Sequence, residues 1–265
     1  MNVSKVSFSL FTKMWKNKSI EELGDFVSGL GFDGIELPVR PDYPVEPDTI
    51  ATTLPAAVKQ LEATNVSITS IAGPTDEATI AACGDAGVPI IRTCPDIGNE
   101  GYLASIERHW REFDALVPVL EKHGVAIGIQ NHCDDWICNA MGVKHFIDRY
   151  DRRQVCAIPC AGHTALDGES PHMAIDIIWS HLVQFKLKNA YWERGNGTEA
   201  EDVEWRPHWT TGRQGLASWP RFVNELDKRG FDGVVCLDAE YSDEEATERL
   251  IVEDLAFARS LFAAD

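Results

Sequence analysis

The chain lacks a Cys-x-x-Cys pair, and its seven cysteines are odd in number and irregular in spacing. That argues against a disulfide framework and for reduced thiols in a cytosol, where most such cysteines fill core space. It lacks a charged-then-apolar leader and any apolar run near the length needed to cross a bilayer, so the expectation is a soluble, cytoplasmic protein. It has no Lys/Arg cluster, and 42 acidic against 24 basic residues give a net charge of -18. A phosphate backbone or an anionic membrane would be repelled, which excludes nucleic acid and membrane as partners. No Pro/Gly/Ser-rich linker or low-complexity stretch divides the 265 residues, so a single domain over 1–265 is expected, and 44% hydrophobic content suffices for its core.

What is present is a repeat. Gly-Phe-Asp-Gly occurs at Gly31 to Gly34 and again at Gly230 to Gly233, each after a helix-like stretch and before an apolar run ending on carboxylate. Both copies read as a helix stop, a turn and a strand. Strand-like runs are Val6–Phe11, Gly34–Leu37, Val66–Ile71, Val88–Thr93, Val125–Asn131, Val155–Cys160, Leu182–Lys188 and Val234–Glu240. Amphipathic helices lie between them. Ser19 and Glu22 form a capping box ahead of a helix to Leu30, Leu103–His123 has apolar positions at three and four, and Gly31, Gly124 and Gly230 stand where left-handed caps are needed. Eight strand–helix units of roughly 33 residues predict an α/β fold, the (β/α)8 TIM barrel. The alternative, a doubly wound open sheet, lacks a Gly-x-Gly-x-x-Gly between the first strand and helix. The connection from Asn189 to Leu216 is long, which marks a lid or a loop, and Trp192, Trp205 and Trp209 favour a packed one.

In such a barrel chemistry sits at the C-terminal strand ends, and alternation decides which side chains point inward. Parity groups Asp238 with Glu240, Gln184 with Lys186 and Lys188, and Gly128 with Gln130 and His132, while Glu36 faces inward between Ile35 and Leu37. The convergent set is Glu36, Gln130, His132, Cys160, His163, Lys186, Lys188, Asp238 and Glu240. Each alone has a plainer reading as a rim charge, an ion pair, a core thiol or a backbone-tied histidine. His109, His123, His145, His172 and His181 fall in helical stretches or at their ends and read as surface or capping residues.

At these strand ends the chain resembles the xylose isomerase-like TIM-barrel superfamily of sugar and sugar-phosphate isomerases, epimerases and inosose dehydratases. The resemblance is carried by Ser19 through Glu36, by Gly124 to His132, by Cys160-Ala161-Gly162-His163 with Asp167-Gly168-Glu169, by Phe185 to Asn189, by Gly212-Arg213-Gln214-Gly215, and by Gly233 to Glu240. It implies one divalent cation held by a Glu, an Asp, a His and a Glu at the ends of the fifth to eighth strands. Those places are occupied here by Gln130, Cys160, Lys186 and Asp238, of which only Asp238 keeps an anionic oxygen. The expectation is therefore a degraded metal site and no cofactor, with Lys186, held by Asp238 and Gln130, in the place of the cation. The alternatives are a plain Lys186–Asp238 salt bridge, or a shifted Mn, Mg, Co or Zn site on His132, His163, Asp238 or Glu240.

The resemblance implies an enzyme acting on a sugar, sugar phosphate or cyclitol, with isomerase or epimerase chemistry first and dehydration second. Glu240 or Glu36 is the expected base, Lys186 and Lys188 the electrophilic side, and His163 and Arg213 the grip on hydroxyls or phosphate. Gln130 and His132 complete the substrate contacts, and a homo-oligomer is expected. The competing reading is a non-catalytic carbohydrate-binding or partner subunit in which Trp15, Trp136 and Trp192 stack on a ring.

Overall fold

The computed structural model describes residues 6–263; residues 1–5 and 264–265, the two ends of the expected unit, lie outside the described residues. Eight parallel strands form the barrel: β1 (Ser7–Phe11), β2 (Gly34–Pro38), β3 (Ser67–Ala72), β4 (Ile90–Thr93), β5 (Ala126–Ile129), β6 (Val155–Ala157), β7 (Gln184–Leu187) and β10 (Val234–Asp238). They match the eight runs read from the sequence. Between them stand α1 (Ile20–Leu30), α2 (Ile50–Leu61), α3 (Glu77–Ala86), α4 (Tyr102–His123), α5 (Ala140–Ile147), α6 (Ala161–Leu166), α7 (Pro171–Ile178) and α8 (Trp219–Lys228), with α9 (Thr247–Phe262) closing the chain. Pairing runs β6-β5-β4-β3-β2-β1-β10-β7. Between β6 and β7 there is only a seam of single bridges, Ala157 with Leu182 and Cys160 with Lys186. No helix among the described residues is long and apolar enough to cross a membrane.

Both Gly-Phe-Asp-Gly copies do the same mechanical work. Gly31 and Gly230 take left-handed backbone at φ 93° and 69°, which reverses the chain at the helix end. The second glycine of each copy then starts its strand against a neighbouring carbonyl: a Cβ on Gly34 would lie 2.8 Å from the Ser67 oxygen, and one on Gly233 2.6 Å from the Val183 oxygen. A backbone carbonyl in a barrel cannot move aside cheaply. The Ser19–Glu22 capping box forms in full.

The long connection is an antiparallel hairpin of β8 (Asn189–Arg194) and β9 (Trp205–Thr210), not an irregular loop. Asn189 pins its base by donating to the carbonyls of Gly212 and Ala217 and accepting from the Ala190 and Ala217 amides. Of its tryptophans only Trp209 is turned toward the barrel mouth; Trp205 is 60% exposed. His109, read as a surface or capping residue, is instead buried on the inner side of α4, with Nε2 2.9 Å from the Asp96 carbonyl.

Gly34→Ala and Gly233→Ala should each lose about 1–3 kcal/mol, the usual cost of overpacking, in equilibrium denaturant unfolding. Gly29→Ala, on the exposed face of α1 with nothing within 4 Å of the added methyl, should gain roughly 0.5–1 kcal/mol.

Candidate active site

Below the barrel mouth lies a closed layer of charge. Phe11 is in register with Glu36 on one side and Asp238 on the other, and Cys236 on β10 is in register with Lys186 on β7. Glu36 and Lys186 are both completely buried. Glu36 Oε1 accepts from Lys186 Nζ at 2.6 Å and from Arg92 Nη2 and Nε at 2.8 and 3.2 Å, while Oε2 accepts from Ser70 Oγ at 3.1 Å and Gln184 Nε2 at 3.4 Å. Burial alone would raise the Glu36 carboxyl, but Arg92 and Lys186 outweigh it and hold it at about 2. Asp238 and Glu36 oppose the burial penalty on Lys186 and keep it charged, above the ordinary lysine range. The faces of Phe11 carry both cations, Lys186 Nζ at 4.5 Å and Arg92 Cζ at 4.8 Å from the ring centre.

Asp238 is the second counter-ion. Its Oδ1 lies 2.8 Å from Lys186 Nζ, yet off the direction a hydrogen bond requires, so the oxygen keeps an open acceptor. Burial raises the Asp238 carboxyl despite that neighbour. No hydrogen bond joins Gln130 to Lys186, against the expectation that it would help hold the ammonium; its Oε1 is buried without a partner. Cys160 is fully buried at the start of α6, and burial pushes its thiol up to about 11.

Above this layer opens a cavity of about 450 Å³ lined by Phe11, Lys13, Arg40, Arg92, Gln130, His132, Trp136, His163, Asp238 and Glu240. Glu36, Lys186 and Lys188 do not line it. Glu240 is clamped from both sides: Lys13 pairs with Oε1, and Lys188 Nζ sits 2.7 Å from Oε2 while its charge rests over Trp209, 3.6 Å from the ring centre. The lysines outweigh burial and hold Glu240 well below the usual carboxylate range.

The two histidines have assigned tautomers, because backbone groups fix what each ring nitrogen must be. The Cys133 amide can only donate, so His163 Nδ1, 3.1 Å away, accepts; the Cys133 carbonyl can only accept, so His132 Nδ1, 2.8 Å away, carries hydrogen. The neutral His163 therefore presents Nε2–H and the neutral His132 a bare Nε2 lone pair. Burial lowers both, His163 strongly, and Lys188 adds to the effect. The rings lie 4.0 Å apart. Asn131 sets this register by accepting from the Cys160 amide at 2.8 Å and donating to Thr164 Oγ1 at 3.2 Å, which ties the end of β5 to α6.

Arg213 is not part of this constellation. It is exposed on the outer side of the barrel, with its guanidinium 3.7 Å from the Phe257 ring centre. Trp15 is buried against Phe26, and Trp192 donates to the Leu166 carbonyl outside the cavity, which leaves Trp136 as the aromatic wall. Sequence reading passes over Arg92, Lys13 and Arg40. Arg92 carried a usable signal: it is in register with Gly128, the position that shares its face with Gln130. Two groups of metal-ligating residue types lie close together, His132 with Cys133 and His163, and Glu36 with Cys236 and Asp238.

Glu36→Gln should destabilise the barrel by about 3–5 kcal/mol, because it leaves the Lys186 and Arg92 cations sharing Asp238. A loss under about 1 kcal/mol in urea unfolding would show that the charged layer is not a coupled unit.

The fold has counterparts among known structures, all at low identity. A D-psicose 3-epimerase from Clostridium cellulolyticum H10, crystallised with D-tagatose, superposes at TM-score 0.74 with 14% identity over 98% of this chain and 100% of its own. A 3-keto-D-glucoside 4-epimerase from E. coli gives 0.71 with 12% identity over 96% and 99%, and a probable 3-DHS dehydratase from Bacillus anthracis 0.70 with 14% over 95% and 99%. Among curated proteins no sequence match was found. The sequence model of the xylose isomerase-like TIM barrel matches residues 25–261, which spans seven of the eight strands and every charged and histidine side chain of the site except Lys13, and the chain therefore belongs to the xylose isomerase-like TIM-barrel family.

Proposed function

We propose that the chain is a sugar, sugar-phosphate or cyclitol isomerase or epimerase that removes a proton next to a carbonyl, with the Lys186 ammonium in the place where the family resemblance implies a dication. The observation that carries this reading is one cavity wall that brings together an ionised carboxylate, Glu240, and two neutral imidazoles, His132 and His163, beside Gln130 and Asp238. A base, a hydrogen-bond donor and a proton acceptor around one cavity are what proton transfer next to a carbonyl requires. That the structural neighbours include sugar epimerases supports the choice of substrate class.

Glu240, ionised and at the cavity wall, takes the proton from the carbon next to the carbonyl, and the electron pair moves onto the carbonyl oxygen. His163 Nε2–H donates to that oxygen as its charge develops; a neutral imidazole suits this role because it stabilises the enediolate without giving up its proton outright. The bare Nε2 of His132 takes the hydroxyl proton that must travel with the double bond. Glu240 returns the carbon-bound proton to the former carbonyl carbon while the His132 imidazolium passes its proton to the former carbonyl oxygen, which gives the isomer; for the epimer the hydroxyl keeps its proton and a second acid, opposite Glu240, protonates the first carbon on its other face. Lys13 and Lys188 keep Glu240 in position. Glu36, sealed below the cavity, serves as the counter-ion of Lys186 and Arg92 rather than as a base.

The donor set does not fit a hard dication. Of the four strand-end positions, Gln130 offers one neutral oxygen, Cys160 a buried protonated thiol, and Lys186 a cation. An ion bound to Asp238 Oδ1 would stand within about 5 Å of the ammonium, a repulsion of roughly 7 kcal/mol at an effective dielectric constant near 20. The Cys133 thiol of the histidine group is also protonated, pushed up to about 12 by burial, and His163 Nδ1 is already engaged. No step is assigned to a metal.

In a screen of ketoses, ketose phosphates and inososes read by product analysis, turnover should survive exhaustive chelation, and the purified protein should hold less than stoichiometric Mn, Mg, Co or Zn. A stoichiometric dication with chelator-sensitive activity would sink the ammonium reading. Glu240→Gln should lower kcat about 10²–10⁴-fold. Both histidines must be neutral and burial depresses both, so the acid limb of kcat/KM should fall below the ordinary imidazole value near 6.5. An acid limb at or above that value would contradict the tautomer assignment.

A further inference from the structure

The surface and the site carry opposite charge. The chain is acidic overall, at -18. The cavity walls and the side chains ion-paired to them nevertheless hold five cations, Lys13, Arg40, Arg92, Lys186 and Lys188, against three carboxylates, Glu36, Asp238 and Glu240. Four of those cations have a carboxylate partner. Arg40 has no ion pair among the described residues, although it is half-buried at the cavity rim. Glu46, an acid of its own loop, is engaged elsewhere: its Oε1 accepts from the Asp42 amide.

The turn that carries Arg40 is fastened to Lys13. Tyr43 donates its amide to the Arg40 carbonyl at 3.3 Å and its hydroxyl to the Lys13 carbonyl at 3.0 Å, which brings the two side chains to one rim above the ends of β1 and β2. Arg92, at the end of β4, extends the same arc downward. The histidines stand at the ends of β5 and β6, across the barrel from β1 and β2.

Resting on the reading of the cavity as a polyol site, we infer that its substrate is an acidic sugar, a polyhydroxylated carbonyl compound with a carboxylate or phosphate at one end. The anionic end is taken by Arg40, Lys13 and Arg92, and the carbonyl end lies toward Glu240 and the histidines. A neutral ketose would leave Arg40 unpaired and the excess of cations uncompensated. An anion supplies the missing charge, and Arg40 is suited to meet a carboxylate or phosphate with two parallel hydrogen bonds. The negative outer surface disfavours large anions at the same time, which selects for a small charged ligand that fits inside the cavity.

The test is calorimetric binding to the full chain, which needs no turnover, with D-fructose, D-fructose 6-phosphate, D-fructuronate, and inorganic phosphate and acetate as probes. The acidic sugars should bind at least about tenfold tighter than D-fructose, and Arg40→Gln, a rim change far from the core, should erase most of that ratio while leaving D-fructose binding intact. The phosphate and carboxylate arms identify which anion the arc prefers, and the preference should weaken with added salt. D-fructose binding as tightly as the acidic sugars, or a ratio unmoved in Arg40→Gln and in Lys13→Gln, overturns the inference while the polyol reading stands. Binding of inorganic phosphate or acetate without a gain from the attached polyol overturns the polyol reading and with it the acidic-sugar assignment, while the cationic arc itself is confirmed.

Discussion

A buried ammonium cannot stand alone, and the interior of this barrel is arranged around that fact. Removing an ion from water costs several kcal/mol even after relaxation. Lys186 offsets the cost with Glu36 and Asp238, and Glu36 in turn holds Arg92. Four strands, β2, β4, β7 and β10, thereby contribute to one electrostatic unit at the level where the cavity begins. Apolar residues would fill the same space more cheaply. The layer's contribution is specificity of position: it fixes Asp238 and Arg92, the two of its members that reach the cavity wall.

The layer above uses the same logic with weaker charges. Glu240 is placed by two lysines rather than by packing, and Lys188 is placed by Trp209, so the hairpin of β8 and β9 reaches the site through a single aromatic face. Backbone groups of one residue, Cys133, determine both imidazole tautomers. A proton acceptor and a proton donor are thus set side by side without any ionised partner. This arrangement keeps the acid–base equipment neutral inside a site whose charge is otherwise dense.

The barrel was legible because its strands and glycines obey short-range rules. Eight apolar runs, two left-handed caps and the tight second glycines of the repeat need only local sterics to be read. Parity along a strand brought Gln130, His132, Asp238 and Glu240 to one mouth and Glu36 and Lys186 inward, but parity says nothing of depth, so it does not separate the sealed Glu36 from the open Glu240. The partner of Lys186 was half legible: Asp238 is a register neighbour's neighbour, whereas Glu36 reaches it from across the barrel. Arg92 obeys the parity rule and was readable. Lys13 and Arg40 lie just past their strands, and Arg213 lies beyond the hairpin, where alternation no longer constrains direction; two of these three face the cavity and one does not.

The seam between β6 and β7 has a mechanical meaning. Every other pair of adjacent strands shares a ladder, but here the cylinder is joined by the bridges of Ala157 with Leu182 and Cys160 with Lys186. This seam runs beside the ammonium and beside the short helix that bears His163. A seam closed by single bridges has no continuous ladder to hold the two staves together, and Lys186 is itself one of the bridged residues. The hairpin that begins at Asn189, just past the end of β7, packs against α6, which follows β6, so the two sides of the seam are also joined above the sheet.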